Sequence, residues 1–194
     1  MRRFMHLGIV MSVALMARPA LAGSIVDPTA AIQRTSLGGG DFDYKVTLTN
    51  SAASSAPIGT FWFSWVPGKD FLDNAPLSVT SPTGWTDRVT HGGATDGYAI
   101  QWVASTAGLL APGNSATFEF TSTETPSQLM GNSPFYAAFP EGTAFVYSGA
   151  PFSDAGVQFV ASAVPEPSSL ALSLISMSGL TMIAYKRNHR RRRA

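Results

Sequence analysis

The chain has 194 residues, no cysteine, and 13 Lys+Arg against 12 Asp+Glu. That length fits one domain with extensions. Disulfides, thiol nucleophiles and cysteine-held zinc or iron–sulfur centres are excluded. A charged fraction of 13% beside 45% hydrophobic residues marks a folded chain, and 18 Gly with 13 Pro argue against a mostly helical one.

Residues 1–22 run from Met1-Arg2-Arg3-Phe4-Met5-His6 through the apolar stretch Leu7–Ala17 to Ala20-Leu21-Ala22. A basic start, an apolar run and an A-x-A site in that order predict a secretory signal peptide, cut after Ala22. Residues 23–163 form the expected domain. It carries four cations, Arg34, Lys45, Lys69 and Arg88, against eleven anions, a net charge of −7. An acidic domain is a poor partner for nucleic acid.

Strand signals fill this domain. Phe42-Asp43-Tyr44-Lys45-Val46-Thr47-Leu48-Thr49 alternates apolar and polar, as a strand of an antiparallel sheet with one wet face does. Ile58–Val66 reads as a longer strand, with Phe61, Phe63 and Trp65 on one face and Trp62 on the other. Further strands are expected at Leu77–Thr80, Trp85–Thr90, Gly97–Ala104, Ser115–Ser122, Thr143–Ser148 and Gly156–Ser162. Turn residues punctuate them, including Pro67-Gly68, Asp73-Asn74 and Pro112-Gly113-Asn114. One helical turn is expected, capped by Thr125 with Pro126 at its first position. Short strands with this punctuation predict an all-β, antiparallel β-sandwich, immunoglobulin-like or carbohydrate-module-like in shape, with a jelly roll as the alternative. The expected core is Phe42, Tyr44, Val46, Leu48, Phe61, Phe63, Trp65, Ile100, Trp102, Phe118, Phe120, Phe145, Tyr147, Val157 and Phe159.

Several residues could carry chemistry. His91 is the domain's one histidine, and a Ser–His–Asp triad would need it with an acid such as Asp96 behind it. It lies in the turn Thr90-His91-Gly92-Gly93, and no G-x-S-x-G elbow accompanies it. Asp41 with Asp43, or Asp70 with Asp73, could serve as a glycosidase pair or contribute oxygens to calcium. No D-x-D-x-D-G loop is present, so solvated surface acids are the expectation, with no metal site and no cofactor assigned. Of the four tryptophans, Trp65 and Trp102 sit in core register. Trp62 and Trp85 are the candidates for exposed rings that stack on sugars.

The C-terminal segment, residues 164–194, is different in kind. Val164-Pro165-Glu166-Pro167 precedes an uncharged run of 18 residues from Ser168 to Tyr185. Lys186, Arg187, Arg190, Arg191, Arg192 and Arg193 then form a stop-transfer tail that resists crossing a membrane. The run is at the short end of what a transmembrane helix needs, and Ser173, Ser176, Ser178, Gly179 and Thr181 dilute it. Pro-Glu-Pro, an apolar span and a terminal arginine cluster together resemble the PEP-CTERM sorting signal. The resemblance covers residues 164–194. It implies recognition of Pro165, Glu166 and Pro167 by an exosortase, a membrane cysteine protease, after which the product passes from the inner membrane to the cell surface or the extracellular matrix. Such systems belong to Gram-negative bacteria that make exopolysaccharide. The stretches Phe61–Phe71 and Tyr147–Asp154 are also similar to the globular part of other PEP-CTERM proteins, with no activity attached. The expected function is a non-catalytic cell-surface or matrix protein, with the membrane, exosortase and exopolysaccharide as partners. The alternative is a carbohydrate-binding module, and a hydrolase comes third.

Overall fold

The computed structural model describes residues 26–164. The expected signal peptide, Pro165-Glu166-Pro167, the expected span and the basic tail lie outside those residues. Among the described residues two five-stranded sheets pack face to face, and the architecture is all-β. In chain order the strands are β1 (Pro28–Gly38), β2 (Asp41–Asn50), β3 (Thr60–Phe63), β4 (Trp65–Val66), β5 (Lys69–Asp70), β6 (Ser78–Thr80), β7 (Trp85–His91), β8 (Tyr98–Ala104), β9 (Ser115–Ser122), β10 (Thr143–Tyr147), β11 (Val157–Val160) and β12 (Ser162–Ala163). One sheet has the order β12-β1-β2-β9-β6, the other β11-β10-β3-β8-β7; β4 and β5 form a small hairpin beside them. All pairings are antiparallel except β12 along β1.

The alternation read in β2 holds. Tyr44, Val46 and Leu48 are buried and lie opposite Phe120, Phe118 and Ala116 of β9. On the wet face Lys45 meets Glu119, its register partner, at 2.7 Å. Phe118 is the hub between the sheets. Its ring lies 5.0 Å from those of Phe61, Trp85 and Trp102, all three contributed by the facing sheet. The short helix α1 (Pro126–Leu129) starts where the sequence places it. Thr125 caps it in a reciprocal capping box with Gln128.

Three readings are corrected. First, β1 had no expected strand. Only Pro28, Ala30 and Ile32 turn inward, and two of these are small, so the apolar signal is faint. β1 and β2 are joined through Gly38, Gly39 and Gly40, whose φ values of 84°, 69° and 99° suit glycine alone. Second, the run Ile58–Val66 is not one strand. Ser64 sits at φ 58° and breaks it. The break turns Trp65 over to the face that carries Trp62, so Trp65 leaves the main core. Third, Phe145 and Tyr147 are buried but point to that same outer face, while their neighbours Ala144 and Val146 fill the core. Phe42, Val157 and Phe159 pack at the core's margin and are half-buried.

Truncating Phe118 to Ala removes a fully buried ring that bridges both sheets, so a loss of about 3–5 kcal/mol is expected. Urea unfolding of the variant beside the parent measures it. A negligible loss would contradict the inter-sheet position.

Candidate functional site

The outer face of the β11-β10-β3-β8-β7 sheet concentrates aromatic side chains. Trp62 from β3 and Trp65 from β4 stack at 4.2 Å with an interplanar angle of 16°. Phe145 of β10 meets Trp65 edge-on at 5.6 Å, and Tyr147 lies 6.5 Å from it. Ala99 completes this second buried cluster. Phe152 covers it, 5.9 Å from Trp65 and 5.5 Å from Tyr147, and is itself 66% exposed. Phe152 holds a φ of 65°, rare for a side-chain-bearing residue. The loop that carries it is tied by Asp154. Its carboxylate accepts hydrogen bonds from the Ser148 hydroxyl, from Ser148 N at 2.8 Å and from Gly156 N at 2.7 Å. Partial burial would raise the Asp154 pKa, but these donors outweigh it and hold the group below its usual value. Gly156 has φ 61° and lies against the Phe145 ring. A Cβ there would fall 2.0 Å from a ring carbon.

The two candidate stacking rings are not exposed. Trp62 is 4% accessible because Trp65 lies flat on it, a consequence of the turn at Ser64. Trp85 is 7% accessible and meets Phe118 edge-on, at 85°. Both belong to packed clusters, and the exposed ring of this face is Phe152. The sequence contained Phe152 within a recognised stretch but offered no periodic signal for its exposure.

The acidic residues sort differently from their spacing. Asp70 ends β5 and is 4% exposed, whereas Asp73 lies in the loop after it and is exposed. The neighbour of Asp70 is Asp96. One Asp96 oxygen accepts the Asp70 N–H at 3.0 Å, and the Tyr136 hydroxyl donates to the same carboxylate. Thr90 Oγ1 lies 3.4 Å from Asp70 Oδ1. Burial, then the Asp96 charge, pushes the Asp70 carboxyl up to about 6. His91 is exposed, stacked on Tyr98 at 4.5 Å, and bonded through Nδ1 to the carbonyl of Gly97 at 2.8 Å. The group behind its ring is thus a carbonyl and not Asp96, so the triad arrangement is missing. Asp41 and Asp43 are half-buried on β2. Among the described residues no three His, Asp or Glu side chains are grouped to hold a metal ion.

A second carboxyl pair escaped sequence reading altogether. Glu124 is 0% exposed and Glu141 is 2% exposed. The two side chains are close enough for each to act on the other's titration. Burial first, then the partner, raises Glu141; burial also raises Glu124. A signal existed in the sequence: Phe118, Phe120, Ser122 and Glu124 keep one inward alternation through β9 and past its end.

No family model and no curated protein sequence matches the chain. Solved structures offer distant likenesses. An uncharacterized protein from Nocardia farcinica with an immunoglobulin-like fold aligns with 68% of this chain and 98% of its own, at 13% identity and a TM-score of 0.39. A GH20 exo-β-N-acetylglucosaminidase from Vibrio harveyi aligns with 73% of this chain at 12% identity and a TM-score of 0.37, over only 18% of the enzyme's length. The chitin-binding domain of Chi18aC from Streptomyces coelicolor covers 70% of this chain and 93% of its own, at 20% identity and a TM-score of 0.33. None is similar enough to carry a ligand or an activity across.

Asp70 provides a test of these electrostatics. Its folded pKa lies above the unfolded value of 3.8, so its contribution to stability is full below that value and is lost as pH rises through about 6. Asp70→Asn should flatten the fall in melting temperature between about pH 4 and 6 and leave the protein no less stable at pH 7. Thermal melting across that range is the measurement. An unchanged profile would count against the buried position of this carboxyl.

Proposed function

We propose that the chain is an exported, non-catalytic protein of the cell surface or matrix, held in the inner membrane until its C-terminal signal is processed. The observation that carries this reading is the order of the last 31 residues: Pro165-Glu166-Pro167, an uncharged run of 18, then six cations. The described domain is consistent with that division. Among the described residues the last strand, β12, ends at Ala163 beside β1, two residues before Pro165. No helix among the described residues is long and apolar enough to cross a membrane; in this reading residues 168–185 supply the anchor. Proline on both sides of Glu166 disfavours helix and favours the extended form a protease cleft reads. In this reading the sandwich lies outside the cytoplasm, the arginines stay inside, and an exosortase removes the tail.

The carbohydrate-module alternative called for Trp62 and Trp85 as exposed, coplanar rings. With both of them buried, its support reduces to Phe152 on the aromatic outer face, and the surface-protein reading is preferred. Exopolysaccharide remains the partner class that the sorting-signal resemblance implies.

Glu166→Ala should leave export and folding intact and block tail removal, because a charge at the interfacial mouth of the span serves neither burial nor anchoring. An uncut precursor about 30 residues heavier than the product then accumulates in the inner membrane; the size follows from residues 164–194. Deleting Arg190, Arg191, Arg192 and Arg193 should instead loosen retention, because the span is too short and too polar to hold alone. Immunoblots of membrane, periplasmic and medium fractions from a host with an exosortase separate these outcomes. Equal processing of parent and Glu166→Ala would leave only a tail-anchored domain.

A further inference from the structure

Residues 125–140 leave the sandwich after β9 and return just before β10, carrying α1 and the half-buried aromatics Phe135, Tyr136 and Phe139. The residues at the two ends of this excursion are Glu124 and Glu141, whose carboxyls meet. Both are also fixed from behind. The backbone oxygen of Glu124 accepts the Tyr44 hydroxyl at 2.6 Å, and its Oε1 accepts Asn74 N at 2.5 Å. The carbonyl of Glu141 accepts the Ser64 hydroxyl, and its N–H donates to Gly131 at 2.9 Å. Oε2 of each is buried with no hydrogen-bond partner.

Something positive must lie between two carboxyl oxygens in such a place. The domain's cations are elsewhere. Lys45 is on Glu119, Lys69 lies over Tyr136 and Phe139, Arg34 lies over Phe42, and Arg88 sits on the edge strand β7. The titratable groups facing the pair are Asp73, which adds negative charge, and Tyr44, which faces Glu124. A carboxyl proton is the one positive partner the surroundings supply.

We propose that Glu124 and Glu141 share a proton and thereby latch the neck of the 125–140 excursion, so that its closure depends on pH. With both carboxyls ionised, like charges face each other at the neck and the excursion loosens from its ends. Elsewhere it is held by Phe71, stacked on Phe139 at 5.2 Å, and by the Ser133 hydroxyl on the Phe71 carbonyl. Opening is therefore local. The sign follows from the folded pKa. Glu141 is pushed up to about 9 from 4.5, so the latch is strongest in acid, weakens as pH rises toward 9, and loses nothing more above it.

Chymotrypsin cuts after aromatic residues, so cleavage within 125–140 of the full chain reports opening. Rates are normalised at each pH to an unstructured peptide. Parent protein should show normalised cleavage rising between about pH 6.5 and 9, by up to roughly tenfold per pH unit, then levelling off. Glu141→Gln should be flat, because its amide donates to Glu124 at every pH. A flat parent, or an equal slope in both proteins, would overturn the latch. If Glu141→Gln does not fold, Glu124→Gln carries the same comparison. Melting at about pH 9 with and without calcium chloride is the second measurement. A calcium-dependent rise in the parent that is lost in the Gln variant would show a cation between the carboxyls and overturn the shared proton. No calcium effect, with the pH slope present, supports it.

Discussion

The strands β10 and β3 inside the β11-β10-β3-β8-β7 sheet are buried on both faces, and most of the irregular structure answers that constraint. The sheet's inner face meets the other sheet through Phe61, Phe63, Ile100, Trp102, Ala144 and Val146. Its outer face carries Trp62, Ala99, Phe145 and Tyr147, which cannot all be left in water. A sandwich supplies no third layer. The covering comes from the connections: Trp65 on its two-residue strand and Phe152 on its tied loop. Rings of this size remove large apolar areas from water, which is enough to hold short, irregular segments in place.

Ser64 is the device that makes the covering possible. A side-chain-bearing residue at positive φ costs about 1–2 kcal/mol. Here two bonds offset it: the hydroxyl reaches the Glu141 carbonyl, and the Ser64 carbonyl accepts Phe71 N at 2.9 Å. Strict alternation would have sent Trp65 into the core beside Phe63. The broken alternation puts it on Trp62 instead. The same step that fills the outer face therefore hides Trp62, one of the two rings expected to be exposed for a sugar.

The sequence was most legible where one face is wet. β2 and β9 alternate cleanly, and their inward residues Tyr44, Val46, Leu48, Phe118 and Phe120 were readable directly. It was least legible where both faces are buried, because Thr60–Phe63 and Thr143–Tyr147 are buried at every position and the pattern no longer assigns faces. β1 failed for the opposite reason, since Ala30 and Ile32 are too little apolar signal in eleven residues. Charge misled at Glu124, Glu141 and Asp70. An acidic side chain reads as surface unless its register is followed, and Glu124 sits two positions beyond Ser122 on the inward side. The expected terminal signals rest on order of zones and composition alone, without the fold.

The outer aromatic face and the buried carboxyl pair are not separate features. Ser64 donates to the backbone of Glu141, so the residue that turns Trp65 outward also anchors one arm of the pair. Phe71, bonded to the Ser64 carbonyl, stacks on Phe139 inside the excursion that the pair closes. These contacts join the carboxyl pair to the hairpin that supports Trp65. The ring contacts of Phe118 in the inter-sheet core are with Phe61, Trp85 and Trp102, none of which titrates.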